Sequence, residues 1–202
     1  AYPLAMILNK MSTGSHSFPV LIFILPMWMN FLLRTYAWVA ILGKNGLLNT
    51  FLGWFGIQPL AILYTNFAIL LGMVYNFLPF MVLPIYTALS KMDNDLINAA
   101  HDLGANNMTV FRKIIFPLSL PGVMSGITMV FMPAVSTFVI SSLLGGGQYM
   151  LLGNLIEQQF TTMGNRNFGS AISIIMMIVI LISMAVMNKF DSEDKEGSAG
   201  LW

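Results

Sequence analysis

The side chains able to do chemistry in this chain of 202 residues are few, and many crowd into one stretch. Residues 90–122 read SKMDNDLINAAHDLGANNMTVFRKIIFPLSLPG. Asp93 or Asn94 can cap a helix start, because a side-chain oxygen accepts the orphan N–H groups there. Asp95 then suits the positive helix end. Leu96, Ile97, Ala100 and Leu103 recur at helical spacing and share a face. Gly104 stops that helix, since glycine takes the left-handed backbone without penalty. Asn107 or Thr109 can start a second helix, which carries Arg112 and Lys113 to the membrane boundary before Pro117. A short amphipathic helix of this kind either lies on lipid or docks on a protein. Its acids, Asp93, Asp95 and Asp102, would not be drawn to an anionic lipid surface. A protein partner fits better.

The remaining polar residues offer no catalytic constellation. There is no cysteine, which removes disulfides, thiolate metal sites and a cysteine nucleophile. His16 and His101 are isolated in sequence, so no metal is expected. Serines and threonines lack a nearby base. No P-loop occurs, because Gly43-Lys44 is followed by Asn45; the chain itself is expected to hold no cofactor. The run Gly145–Gly147 reads as a flexible connection. Arg34, near a span end, either snorkels or pairs with a carbonyl or a docking partner.

The elements that must position these residues follow from charge. Charged residues are 8% of the chain and apolar residues 57%, against about 25% and 45–50% in an ordinary soluble domain. Six of the 17 charged residues fall in 189–196. Too few remain to coat a soluble globule, and a net charge of +1 gives no sign of a nucleic-acid partner. Stretches 11–33, 45–90, 114–156 and 167–188 hold no Lys, Arg, Asp or Glu. A spanning helix needs about 20 such residues, and lipid leaves unpaired backbone groups no partner. The expected fold is an all-α transmembrane bundle over 1–188, with spans near 18–42, 61–89, 118–143 and 168–188. Residues 1–9 read as the end of a span whose beginning is absent, and the chain as a fragment. Gly122-x-x-x-Gly126 lets helices approach closely. Prolines 26, 79, 84, 121 and 133 suggest bent, movable walls. Lys10, Lys91, Arg112, Lys113, Lys189 and Lys195 would share one side, against Arg34, Lys44 and Arg166. That bias puts 90–117 and the tail, 189–202, in the cytoplasm. The tail reads as mobile and solvated.

Asn98-Ala99-Ala100-x3-Gly104-x9-Ile114-x-Phe116-Pro117 resembles the EAA loop of ABC-importer permeases, which reads Glu-Ala-Ala, three residues, Gly, nine residues, Ile-x-Leu-Pro. Asn98 stands where the family has Glu, and Phe116 where it has Leu. Further segments, Pro26–Tyr36, Leu78–Tyr86, Ala99–Ala105, Gly145–Gly147 and Leu152–Ile156, are similar to the spermidine/putrescine permeases among them. The resemblance covers nearly the whole chain. It implies a type I importer permease of the inner or plasma membrane, N-terminally truncated here to four full spans plus part of another. It implies a coupling role for Asn98, Ala99, Ala100, Asp102, Leu103, Gly104 and Pro117. It also implies partners: a second permease subunit, two ATPase subunits that bind ATP, an extracytoplasmic solute-binding protein, membrane lipid and a polyamine solute. A polyamine is a flexible polycation, so the resemblance implies a path of aromatic faces and oxygen acceptors, for which Trp28, Asn30, Tyr36, Tyr75, Asn76 and Tyr86 are candidates, with Trp38 and Asn66 beside them. Packing or interfacial anchoring is the competing role for each aromatic. Glu157 could guide a cation, receive the external protein or stand as a solvated surface charge. With Asn98 in place of Glu, either the paired subunit keeps the acid in a heterodimer, or coupling relies on packing. The alternatives are a permease of this family for another small solute, and an ion-coupled secondary transporter. The second would want ionisable groups inside its spans, and the central spans have none.

Overall fold

The computed structural model describes residues 1–12 and 18–199, with side chains for 1–11 and 18–187. Among these residues the chain is helical and has no strand. In order come α1 (Tyr2–Ser12), α2 (Phe18–Ile24), α3 (Phe31–Leu42), α4 (Leu47–Trp54), α5 (Asn66–Ser90) and α6 (Asn94–Asp102). They are followed by α7 (Asn107–Val110), α8 (Phe116–Ser136), α9 (Val139–Leu144), α10 (Leu152–Thr161) and α11 (Arg166–Ala199).

Three helical stretches are long and apolar enough to cross a membrane: Asn66–Ser90, Asn107–Ser136 and Arg166–Met187. Only 6% of the most apolar window of the last is buried. A helix apolar on every side and mostly uncovered by protein suits lipid rather than water.

The stretch read from sequence as one span at 18–42 is broken. A 3-10 turn at Leu25–Trp28 separates α2 from α3, and Phe18–Trp28 meets Phe31–Trp54 at 92°. The cause is local. Pro26 gives no N–H, and Asn30 starts a new helix by accepting from Leu32 N at 2.8 Å and Leu33 N at 3.4 Å. The stretch read as 118–143 also differs. Its helix begins at Asn107, runs through Pro117, and ends at Ser136 before the separate α9. A π turn at Phe111–Ile115 makes that continuity possible. Its wider winding relieves the clash a proline ring makes with the preceding turn. The stretch at 61–89 begins as a helix only at Asn66. In the tail, α11 continues to Ala199, through a stretch that holds no proline to break it.

The contacts divide the chain into two compact units. The first comprises Ala1–Ile24, Leu78–Val130 and Ile182–Trp202. Its core joins Ala5 and Leu8 of α1 to Val82, Ile85 and Leu89 of α5. Each large apolar side chain so buried contributes about 1.5–3 kcal/mol. Helix α8 lies against α5 through its small residues. A Cβ on Gly122 would stand 2.6 Å from Ala88 Cβ and 2.7 Å from Pro84 O. Tyr2 packs edge-on to Phe111 and reaches the Ser119 hydroxyl.

The second unit comprises Leu25–Phe77 and Phe131–Leu181. Ile140 and Leu144 of α9 are fully buried and sit over Gly72 of α5. Tyr64 takes a positive φ of 67° and donates its N–H to Leu144 O at 2.8 Å. Asn49 of α4 fastens the following loop, donating to Gly43 O and Leu60 O at 3.0 Å and accepting from Leu60 N at 2.8 Å.

Candidate functional site

The loop between α5 and α8, in the first unit, is built almost wholly by its own short-range bonds. Asp93 caps α6, its Oδ1 accepting from Asp95 N at 2.9 Å. At the far end Gly104 has φ +81°. Its N–H donates to His101 O at 2.9 Å, and Ala105 N–H donates to Ala100 O at 3.0 Å. This pair of bonds closes a helix on a left-handed residue. Nothing lies within 4 Å of a Cβ placed on Gly104, so backbone conformation rather than space demands the glycine. The next helix is capped by Asn106, whose Oδ1 accepts from Thr109 N at 2.8 Å. Asn107 and Thr109, the starts read from sequence, are the first and third residues inside it.

The apolar residues of α6 divide between two faces. Ile97 is half-buried, and it lines a cavity with Leu89, Met92 and Ile115. Ala100 is half-buried as well. Leu96 and Leu103, by contrast, are 51% and 89% exposed. They bracket Ala99, also exposed, at the i, i+3 and i+7 positions of one stripe. The single face expected from spacing is therefore split: its edge at Ile97 packs inward, while the centre of the apolar stripe stays bare. Asn98, Asp102 and Gly104 are exposed beside it, and so is Pro117. The result is a small apolar knob rimmed by acids, presented by a helix that is capped at both ends.

The residues considered for a cation path do not form one group. Trp28 is 88% exposed. Asn30 is exposed, with its Oδ1 used in capping α3. Tyr36 borders one cavity of the second unit, with Tyr64 and Gln148. Glu157 borders another. Tyr86 packs against the core of the first unit. Tyr75 and Asn76 share one partner, Arg34.

Arg34 is 8% exposed, so it does not snorkel. Its Nε donates to Asn76 Oδ1 at 2.8 Å, and its Nη1 donates to Pro26 O at 3.0 Å. The guanidinium lies 5.8 Å from the centre of the Tyr75 ring, which is set edge-on to Trp38 at 5.2 Å. Asn76 is 1% exposed, and its Nδ2 donates to Gly72 O at 2.8 Å. Both ends of its amide are engaged in structure. Of the alternatives for Arg34, pairing with a carbonyl is the one observed. The asparagine between Tyr75 and Phe77 carried no sequence signal for this bond, which spans 42 positions.

A second hub escaped the sequence altogether. Asn154 of α10 donates to Phe138 O at 3.1 Å and to Ser142 Oγ at 2.8 Å. Its Oδ1 accepts from the Ser141 hydroxyl. It ties α10 to α9 on either side of the glycine run. Gly153 beside it permits the approach, since a Cβ there would stand 2.6 Å from Thr137 O. Among the described residues no group of three or more His, Asp or Glu is placed to hold a metal ion.

Residues 3–192 match the family described as binding-protein-dependent transport system inner membrane component. The spermidine/putrescine transport system permease protein PotB of Haemophilus influenzae is 40% identical over 187 residues, covering 92% of this chain and 65% of that protein. PotB of Escherichia coli is 39% identical over 187 residues, with 92% and 68% covered. The inner membrane ABC transporter permease protein YdcU of Escherichia coli is 28% identical over 208 residues, with 96% and 66% covered. The chain thus spans slightly less than two thirds of the first of these relatives. Among solved structures, a bacterial alginate ABC transporter, in complex with a periplasmic protein bound to an alginate pentasaccharide, shares the fold. Its TM-score is 0.72 at 15% identity, over 93% of this chain and 69% of that one.

Proposed function

We propose, on the premise that this chain belongs to the family of binding-protein-dependent transport system inner membrane components, that it is a membrane-spanning subunit of an ATP-driven polyamine importer. The observation that carries the reading is the bare apolar stripe of Leu96, Ala99 and Leu103 on a helix capped at both ends. Such a knob is capped at both ends yet left uncovered, and it suits a groove on a second protein. The partner that would move it is an ATPase, because a permease of this kind needs an energy source the chain does not carry. Polyamine as solute is supported by the two PotB relatives, named for spermidine/putrescine transport.

In this reading ATP binds and is hydrolysed on two partner subunits, and their closure pushes α6. Bonds inside the loop make α6 a rigid lever. Ile97, which lines a cavity with Leu89 and Ile115, stands where the push would reach the end of α5 and the turn before α8. A second permease subunit faces this one, and alternating access passes the solute from an extracytoplasmic binding protein to the cytoplasm. The loop at 90–117 and the C-terminus lie on the cytoplasmic side, as the Lys/Arg bias supports. Asn98, where the family pattern has Glu, leaves the contact here to packing by Leu96, Ala99 and Leu103.

The test is spermidine uptake by the full complex in lipid vesicles, with its ATPase and binding protein. Ala99→Trp or Gly104→Pro is expected to leave the complex inserted and abolish uptake. Normal uptake by either variant removes the coupling role. A binding protein loaded with spermidine that fails to stimulate ATP hydrolysis, in a complex that otherwise couples, removes the polyamine.

A further inference from the structure

A cavity in the second unit carries a chemistry that the coupling loop does not use. It is about 460 Å³ in volume, within the range of roughly 300–1,000 Å³ found for small-ligand sites. The end of α8, helix α10 and helix α11 wall it, and Glu157 is the one charged side chain on its lining. The rest of the wall is mostly apolar, with Met176, Met177 and Ile180 on one side and the rings of Phe138 and Phe160 on the other. The Thr161 hydroxyl donates to Glu157 O at 2.8 Å and to Glu157 Oε1 at 3.1 Å. That contact orients the carboxylate but uses little of it, since two oxygens offer about four acceptor positions. Among the described residues no Lys, Arg or His pairs with Glu157.

We infer that this cavity is a binding subsite for a primary alkylammonium group, the chemistry a polyamine carries at each end; the link to polyamine rests on the import reading. Glu157 is half-buried, and a carboxylate beside an apolar wall attracts a cation more strongly than one in open water. Three N–H donors can fill its open positions, aromatic faces attract the same charge, and methionine adapts to a methylene chain. An anion is repelled by Glu157. A hard divalent metal wants six or more oxygen ligands, and a single carboxylate does not supply them.

The chain has no cysteine, so Ser136→Cys places its one thiol on the cavity wall. The purified complex in detergent is treated with 2-aminoethyl methanethiosulfonate, which is cationic, or with neutral methyl methanethiosulfonate. Labelling is read on this chain by mass. The cationic reagent is expected to react faster, with the preference falling roughly tenfold in Glu157→Gln, the size of one charge-assisted contact. Glu157→Asp is expected to keep the preference, which separates charge from damage to the fold. Butylammonium is expected to slow the cationic reaction when Glu157 is present. A preference unchanged by Glu157→Gln, or no protection by butylammonium, overturns the subsite. The assay needs neither ATP nor the binding protein. Protection with failed uptake leaves the subsite and removes the import reading; uptake without protection removes the subsite alone.

Discussion

Arg34 and Asn76 offer the sharpest test of how the second unit holds its broken helix. Arg34→Met removes the donor that meets Asn76 Oδ1 at 2.8 Å and the one that meets Pro26 O at 3.0 Å. Asn76 is 1% exposed, so water cannot replace the lost bond, and an unmet buried acceptor costs about 1–3 kcal/mol. Asn76→Leu removes the acceptor instead. The guanidinium, 8% exposed, then keeps only Pro26 O and the face of Tyr75. A lost bond to a charged group costs about 1.5–3 kcal/mol. In the double variant neither Arg34 nor Asn76 leaves the other unmet. The destabilisation of the pair should fall short of the sum of the singles by about 1–2 kcal/mol, as expected for residues in direct contact. The assay is thermal unfolding of the purified chain in detergent, where each kcal/mol shifts the midpoint by about 2–4 °C for a chain of this size. Additivity within about 0.5 kcal/mol would refute the reasoning, and so would a stable Asn76→Leu single.

Two further outcomes follow from contacts in the two units. Gly122→Ala puts a methyl group 2.7 Å from the Pro84 carbonyl, a backbone atom that cannot turn aside, and should cost about 1–3 kcal/mol. Gly126→Ala meets the flexible Met81 sulfur first, at 2.8 Å, and should cost less; thermal midpoints in the reverse order would count against α5–α8 packing through Gly122. Asn49→Ala strips two bonds from the loop that closes on Leu60 and a third from Gly43 O. Exchange of the Leu60 amide hydrogen should accelerate by at least tenfold, since each lost bond is worth about 1 kcal/mol, and unchanged exchange would show that the loop is held by other contacts.

The sequence by itself determined the environment and the local grammar of the chain. Long stretches free of charge point to lipid as the medium for α5, α8 and the part of α11 up to Met187, because backbone groups there must pair within each helix. The loop at 90–117 was legible for the same reason: Asp93 and Gly104 act on N–H and C=O groups a few residues away, so cap and stop can be read from neighbours alone. Where the next residues decide, the reading erred by a step. Asn106, not Asn107 or Thr109, caps α7, and Pro117 lies inside a helix because a π turn makes room for it. Only the tertiary structure decided what lies far apart in sequence. That Arg34 is held by Asn76, that Asn154 ties α10 to α9, and that Leu103 is bare while Ile97 is covered all depend on which helices meet. Helical spacing lists the residues that share a stripe, but the neighbour that covers one edge of it comes from another part of the chain. In the same way, Glu157 is one acid among eight in the sequence, and it becomes a candidate ammonium site because α8, α10 and α11 close an apolar wall around it.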